Sequence, residues 1–323
     1  MGVDADQVSE ATYLGDIISQ DGKNTKNVRS RVSKGMGIVT KIMDILNTVT
    51  FGKKYFEIAI ILREAKLVNG MLTNIEVWHG LLNSEISELE EVDKLLLRKI
   101  LQVPNSACIE SLYLELGITP FKAVIKARRI NHLHALVKLK DEEMLHTFFK
   151  AQWMYPGKND WVNQVKEDLV DFEIDMTLEE IKLKSKNVFK RLVKKKMKEY
   201  ALNYLNMLKD KHTKMDNLFY VKLKTQNYLK DGRIPVHAAK NLLKWRTRAA
   251  FFKMNYSNSY QDTSFPHCLV EPDSQEHSLK CIEIRKLINV EGDYFDIFSD
   301  EIPSDLAHTL HKISKIREES MDK

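Results

Sequence analysis

The sequence predicts a mostly α protein: a helical bundle, then a basic helical region, then a small C-terminal module. Three observations predict it. Apolar residues recur at three- and four-residue spacing through most of the 323 residues. Gly and Pro number only 12 and 7, and they are the residues that interrupt helices. Leu, Lys, Ile and Glu dominate the rest, a balance that favours helix over sheet. At 43% hydrophobic, the chain buries a core rather than staying disordered.

The elements follow in order. Val28, Val32, Gly35, Val39, Ile42 and Leu46 form one stripe and predict a helix over 25–46. Phe56, Ala59, Ile60, Leu62 and Leu67 predict a second over 51–68, and Leu89, Val92, Leu96, Leu97 and Ile100 a third over 84–101. Pro104-Asn105-Ser106 breaks the chain. A short helix, 109–116, ends at Gly117, a C-cap residue. Pro120 opens a helix to about 140, and Asp141 is expected to cap the next, to Trp153. Tyr155-Pro156-Gly157 turns the chain before a helix over 161–170. Thr177 with Glu180 is a capping box. Phe189, Leu192, Val193, Met197, Tyr200, Tyr204 and Leu208 give a stripe over 185–208, and further helices are expected over 235–256, 275–289 and 303–318. No strand signal is strong. Along the chain this divides into a bundle over 1–155, a basic region over 156–256 and a module with an acidic tail over 257–323.

Composition excludes several classes. No apolar run reaches the roughly 18 residues of a membrane span, and the polar, acidic start is neither a signal nor a transit peptide. Three cysteines, Cys108, Cys268 and Cys281, do not make a disulfide framework. A nuclear or cytoplasmic location is expected, with neither secretion nor a membrane partner. The net charge of +5 hides an asymmetry: residues 182–253 hold 21 Lys/Arg against four acids, a local excess of +17, so the remainder sums to −12. Such a block points to a polyanion, nucleic acid first. An acidic protein partner for a helical interaction module, or a remnant without selected function, is the alternative.

Thr12-Tyr13-Leu14-Gly15-Asp16-Ile17-Ile18, then Asp21-Gly22-Lys23-Asn24 and a helix with Arg29, Arg31, Lys34, Gly35 and Gly37, resembles the palm-to-thumb passage of non-LTR (LINE-type) retrotransposon reverse transcriptases. Glu76-Val77-Trp78, Leu89-Glu90-x-x-Asp93 and Leu97-Arg98-Lys99-Ile100-Leu101 are similar to the later thumb helices of that family. Leu112-Tyr113-Leu114-Glu115-Leu116-Gly117 with Ile125-x-x-Arg128-Arg129-Ile130 is similar to its linker. Lys158-x-Asp160-Trp161 and Gln226-x-Tyr228-Leu229 extend the likeness to the clade that carries a restriction-like endonuclease. The resemblance implies polymerase aspartates upstream of the Tyr-Leu-Gly block. No aromatic-x-Asp-Asp occurs in the 323 residues, so the chain resembles a non-catalytic C-terminal part, and primer extension by it is not expected.

No catalytic residue is assigned. Glu180-Ile181-Lys182 with Asp160 or Asp168, and Pro272-Asp273 with Glu283-Ile284-Arg285, imitate a nuclease spacing, but the first lies in helix and the second has Arg in place of Lys. The binding candidates are cations. By the resemblance, Lys23, Lys26, Arg29, Arg31 and Lys34 would face a template–primer, RNA or an RNA–DNA hybrid, and Gly35 and Gly37 either admit that duplex or pack on a neighbouring helix. Arg128 and Arg129 contact RNA or cap a helix face. Lys186, Lys190, Arg191, Lys194, Lys195, Lys198, Arg246 and Arg248 would track phosphates, with Tyr200, Tyr204, Tyr220, Tyr228 and Trp245 able to stack bases or to fill the core; a solvated helix face is the competing account of the lysines. Cys268-x8-His277-x3-Cys281 matches three positions of the family's CCHC zinc knuckle. Phe265 stands where the first cysteine belongs, so zinc is expected to bind weakly or not at all, with His267 the nearest substitute ligand.

Overall fold

A computed structural model describes residues 9–13, 15–157, 160–211, 218–256, 262–288, 297–298 and 304–321. Leu14 of the Tyr-Leu-Gly block, Lys158 of the Lys-x-Asp-Trp motif and Asp216 of the basic block lie outside the described residues. The architecture is mostly α: among the described residues there are fourteen α-helical segments and one two-stranded hairpin. No helix among them is long and apolar enough to cross a membrane. The chain divides into two compact units, Met1–Ile42, Leu62–Leu95 and Thr119–Ala201 in the first, and Met43–Ile61, Leu96–Ile118 and Leu202–Lys323 in the second. Each unit thus draws on segments from either side of residue 155.

The first unit opens with a hairpin that the sequence does not signal, β1 (Glu10–Tyr13) paired antiparallel with β2 (Asp16–Ser19). All four residues of β1 are exposed, so there is no apolar alternation to read. Helix α1 (Thr25–Thr48) follows. The second expected helix is broken up: α2 (Tyr55–Leu62) passes through a π-helical turn, Arg63–Val68, into α3 (Asn69–Met71). Arg63 is fully buried there, donating through Nε and Nη2 to the Asp93 carboxylate at 2.7 and 2.6 Å and to the Thr119 carbonyl at 2.8 Å.

Helices α4 (Asn83–Leu101), α5 (Ile109–Leu116) and α6 (Phe121–Val137) follow. Pro120 is the N-cap of α6 rather than its first residue. Helix α7 (Met144–Met154) starts later than expected: Glu143 is its N-cap, and the Asp141 carboxylate instead meets Lys150 and His146 at 3.1 and 3.0 Å. Helix α8 (Trp161–Asp171) is capped by Asp160, α9 (Leu178–Leu183) by the expected Thr177–Glu180 box, and α10 (Lys186–Lys209) runs for 24 residues. Ile130, Leu133, Val162, Val165, Phe172, Ile181, Phe189 and Val193 close the core of this unit.

In the second unit, α11 (Val236–Arg246) is shorter than the expected 235–256 helix. Arg248 takes a left-handed φ of 54°, which ends the helix, and only the 3₁₀ turn Lys253–Tyr256 returns. Helices α12 (Gln275–Lys280) and α13 (Ile282–Ile288) replace one expected helix, interrupted at Cys281. Helix α14 (Ser304–Met321) packs on α11, where Trp245 Nε1 donates to Ser314 Oγ at 3.1 Å.

Candidate nucleic-acid interface and metal centre

Helix α10 sorts its residues cleanly. Phe189 and Val193 are fully buried in the core of the first unit, Phe189 stacking on His134 at 4.8 Å between ring centroids. Lys186, Lys190, Arg191, Lys194, Lys195 and Lys198 are exposed. Lys195 reaches Glu199 at 3.7 Å; the other five have no ion pair among the described residues. Lys196, absent from the sequence-based set, is neutralised by Glu173 at 3.0 Å and Glu199 at 3.3 Å. From 186 to 198 the helix advances about 18 Å, the length of roughly five phosphates of one strand. Lys23, Arg29 and Lys34 are exposed, and Lys26, also exposed, is paired with Glu10.

The remaining cations are structural. Arg31 is buried, holding Asp16 at 2.7 Å and the Thr73 carbonyl at 3.2 Å. Arg128 donates to the Leu72 carbonyl and to Asn69 Oδ1. Arg129 is buried and bidentate to Asp168 at 2.7 and 3.0 Å, and Lys126 reaches the same carboxylate at 2.7 Å. Asp168 is therefore an internal counter-ion, not half of a nuclease site. Arg246 is buried against Glu115, and Arg248 pairs with Glu276. The aromatics carry two expectations, base stacking or core packing. Tyr220, Tyr228 and Trp245 are buried, and Tyr200 packs against Phe172 at 5.3 Å. Gly35 packs on Met71 and Val92, while Gly37 faces open space.

In the second unit, residues 263–273 fold back on themselves. Phe265 N–H donates to the Glu271 carbonyl at 2.8 Å and Asp273 N–H to the Thr263 carbonyl at 2.7 Å. This turn carries Cys268. Helix α12, capped by Ser274, carries His277, and Cys281 follows it. Cys268 Sγ, the His277 ring and Cys281 Sγ offer ligand atoms within 4.8 Å of one another and could hold a metal ion. His277 Nε2 lies 3.2 Å from Cys268 Sγ, and Nδ1 lies 2.7 Å from Glu271 Oε2. That is the arrangement in which a carboxylate orients a ligating imidazole. Burial pushes the Cys281 thiol up. At Cys268 burial acts the same way but is outweighed by the N–H groups of Glu271 and Val270 and by the Cys281 side chain, which bring that thiol down. Phe265 is fully buried beside the set, its ring edge-on to His277 at 4.9 Å. His267 does not substitute: its Nε2 is 3.4 Å from the Ile316 carbonyl. Asp273 is bidentate to Arg317 at 2.6 and 2.8 Å, which also removes it from any nuclease reading.

No protein-family model matches the chain, and neither a curated protein nor a solved structure does.

Proposed function

We propose that this protein binds the phosphate backbone of RNA, or of an RNA–DNA hybrid, along the exposed face of α10, in the manner of a non-catalytic part of a non-LTR reverse transcriptase. The observation that carries the reading is the set Lys186, Lys190, Arg191, Lys194 and Lys198, exposed and without acidic partners among the described residues, on the helix that buries Phe189 and Val193. A rigid helix anchored by buried residues and bearing exposed charges positions phosphates without reading bases. Lys23, Arg29 and Lys34 supply a second exposed set on the same unit. Reversing Lys190, Lys194, Lys195 and Lys198 to Glu leaves Phe189 and Val193 untouched, so the variant is expected to fold. Affinity for structured RNA, hybrid and duplex DNA falls together. The dependence of log K on log salt flattens by about 0.9 for each phosphate no longer neutralised on duplex DNA, and by about 0.7 on single strands. A folded variant with unchanged affinity and slope would leave α10 as a solvated helix face.

Zinc is the metal that suits the Cys-His-Cys set, and three ligands make its hold weak. Tetrahedral zinc spaces such ligand atoms roughly 3.5–3.8 Å apart, so the side chains need only a small inward movement. Phe265→Cys is expected to supply the fourth ligand and raise zinc affinity at least tenfold in chelator competition. The same change empties a fully buried site, so the metal-free variant loses roughly 3 kcal/mol of stability and regains it with zinc. If the unaltered protein keeps one zinc through dialysis against a mild chelator, another ligand completes the site.

A further inference from the structure

Helix α7 carries apolar residues on two opposite sides. On one, Phe149 and His146 are buried and Trp153 packs partly buried against the core of the first unit, its ring 5.7 Å from that of Phe149. With about 100° between successive residues, Met144, Phe148, Ala151 and Tyr155 fall on the other side. That side is open to solvent: Met144 is 71% exposed, Phe148 63% and Tyr155 83%, and Ala151 is exposed between them. Leu145 and Met154, at 56% and 65%, widen the stripe at its two edges. Exposed apolar residues scattered singly need no explanation, but here five large ones fall within residues 144–155.

No charge interrupts the stripe. Lys150 is off it and reaches Asp141 at 3.1 Å. A helix at a protein surface normally turns a polar face to water, and one that is apolar all round is buried. With about 150–250 Å² for each aromatic residue, the five residues expose about 600 Å² together, the upper end of the largest patch on a typical monomer. Two such patches face to face bury about 1,200 Å², enough for a specific interface. The stripe also complements itself. An antiparallel copy, related by a two-fold axis level with the peptide between residues 149 and 150, sets Phe148 against Ala151 of the second copy and Met144 against its Tyr155. A large side chain meets a small one at the centre, and each contact occurs twice, as in any isologous interface.

We infer that α7 is the interface of a homodimer, in which two copies of this chain pair antiparallel through the Met144–Phe148–Ala151–Tyr155 stripe with their helix axes about 8–10 Å apart. The inference uses none of the α10 lysines and stands apart from the nucleic-acid reading.

Sedimentation velocity of the full chain over a concentration series is the test. The mass is expected to rise from 37.6 kDa to twice that value by about 100 μM, where a micromolar interface is nearly saturated. Phe148→Glu places a charge at the centre of the stripe and leaves the buried Phe149 in place, so it is expected to keep the wild-type circular dichroism and to remain a single copy at that concentration. Cysteine cross-linking reads the geometry. Ala151→Cys lies within one helical turn of its own copy across the axis, so mild oxidation is expected to link it into a covalent dimer. Lys150→Cys, equally exposed but off the stripe, is not expected to link. The unaltered chain, whose Cys108 and Cys281 are buried, is the blank. A wild-type chain that stays a single copy up to that concentration overturns the interface, and so does a dimer that survives Phe148→Glu. Cross-linking at residue 150 as fast as at residue 151 overturns the antiparallel stripe.

Discussion

Gly117→Ala is expected to destabilise the second unit by more than about 3 kcal/mol, which is a large fraction of a domain's stability. Gly117 ends α5 with φ of 65°, its N–H donating to the Leu114 carbonyl at 3.2 Å. A left-handed φ alone costs an L-residue about 1–2 kcal/mol. The larger part is steric. A Cβ built there lies 2.0 Å from the Lys224 carbonyl carbon and 2.1 Å from the Thr225 nitrogen. These are backbone atoms, so no rotamer relieves the overlap and the 224–226 stretch of chain must retreat. Two bonds hold it in place: Gln226 N–H to the Glu115 carbonyl at 3.0 Å, and Thr225 Oγ1 to the Leu116 carbonyl at 2.8 Å. Gly52→Ala is the control, with φ of 49° and nothing within 4 Å of its added Cβ; it is expected to cost only about 1 kcal/mol. Urea denaturation of both variants checks the difference, and equal losses would mean that the close approach does not constrain the fold.

Helix ends carried by local chemistry are legible: the Gly117 C-cap and the Thr177–Glu180 box stand where residue type places them. Elements decided by distant partners are not. The π turn at Arg63 follows from Asp93, thirty residues away, and α11 stops at Arg248, whose side chain pairs with Glu276. The cations divide for the same reason. A count of Lys and Arg cannot tell a solvated charge from a buried one, yet helical position can. Arg31 lies three residues after Val28, Arg129 four after Ile125 and four before Leu133, and Arg246 three and four after Leu243 and Leu242. Each thus sits on its helix's apolar stripe, and each is buried on an acid from another segment. The lysines of α10 that lie off the Phe189–Val193 edge are exposed. Motifs widely spaced in sequence also meet: Trp161 donates to the Glu76 carbonyl, and Tyr228 to Glu115. Such pairs hold the fold together and need no direct role at a ligand.

Removing either charge of the Glu115–Arg246 pair is expected to cost about 3–5 kcal/mol, the typical loss when one partner of a buried ion pair is deleted. Glu115 is fully buried. It accepts from Arg246 Nε at 2.8 Å, Tyr220 OH at 2.7 Å and Tyr228 OH at 2.9 Å. Arg246 also donates to the Ile297 carbonyl at 2.6 Å and lies 5.5 Å from the Tyr228 ring centroid. Burial alone would lower the arginine's proton affinity, but Glu115 and the two tyrosines more than reverse it. Arg246→Met removes the cation that neutralises Glu115, and Glu115→Leu removes the carboxylate that Arg246 Nε meets. Combining Glu115→Leu with Arg246→Met removes both charges and leaves two hydroxyls unpaired, at about 1–3 kcal/mol each. The double variant should therefore lose clearly less than the sum of its single changes, a coupling of at least about 1 kcal/mol in a double-mutant cycle. The tyrosines add a pH signature. Burial, then the Glu115 carboxylate, holds both phenols well above their ordinary value of 10.0. The folded state keeps protons that the unfolded state releases, so this contribution is complete below about pH 10 and is lost as pH rises beyond it. Tyr228→Phe should flatten that alkaline decline. At a temperature where it remains folded, Arg246→Met should keep the wild-type salt dependence of nucleic-acid binding. A folded, fully stable Arg246→Met with a reduced salt slope would move Arg246 from the core to the binding surface and overturn this account of it.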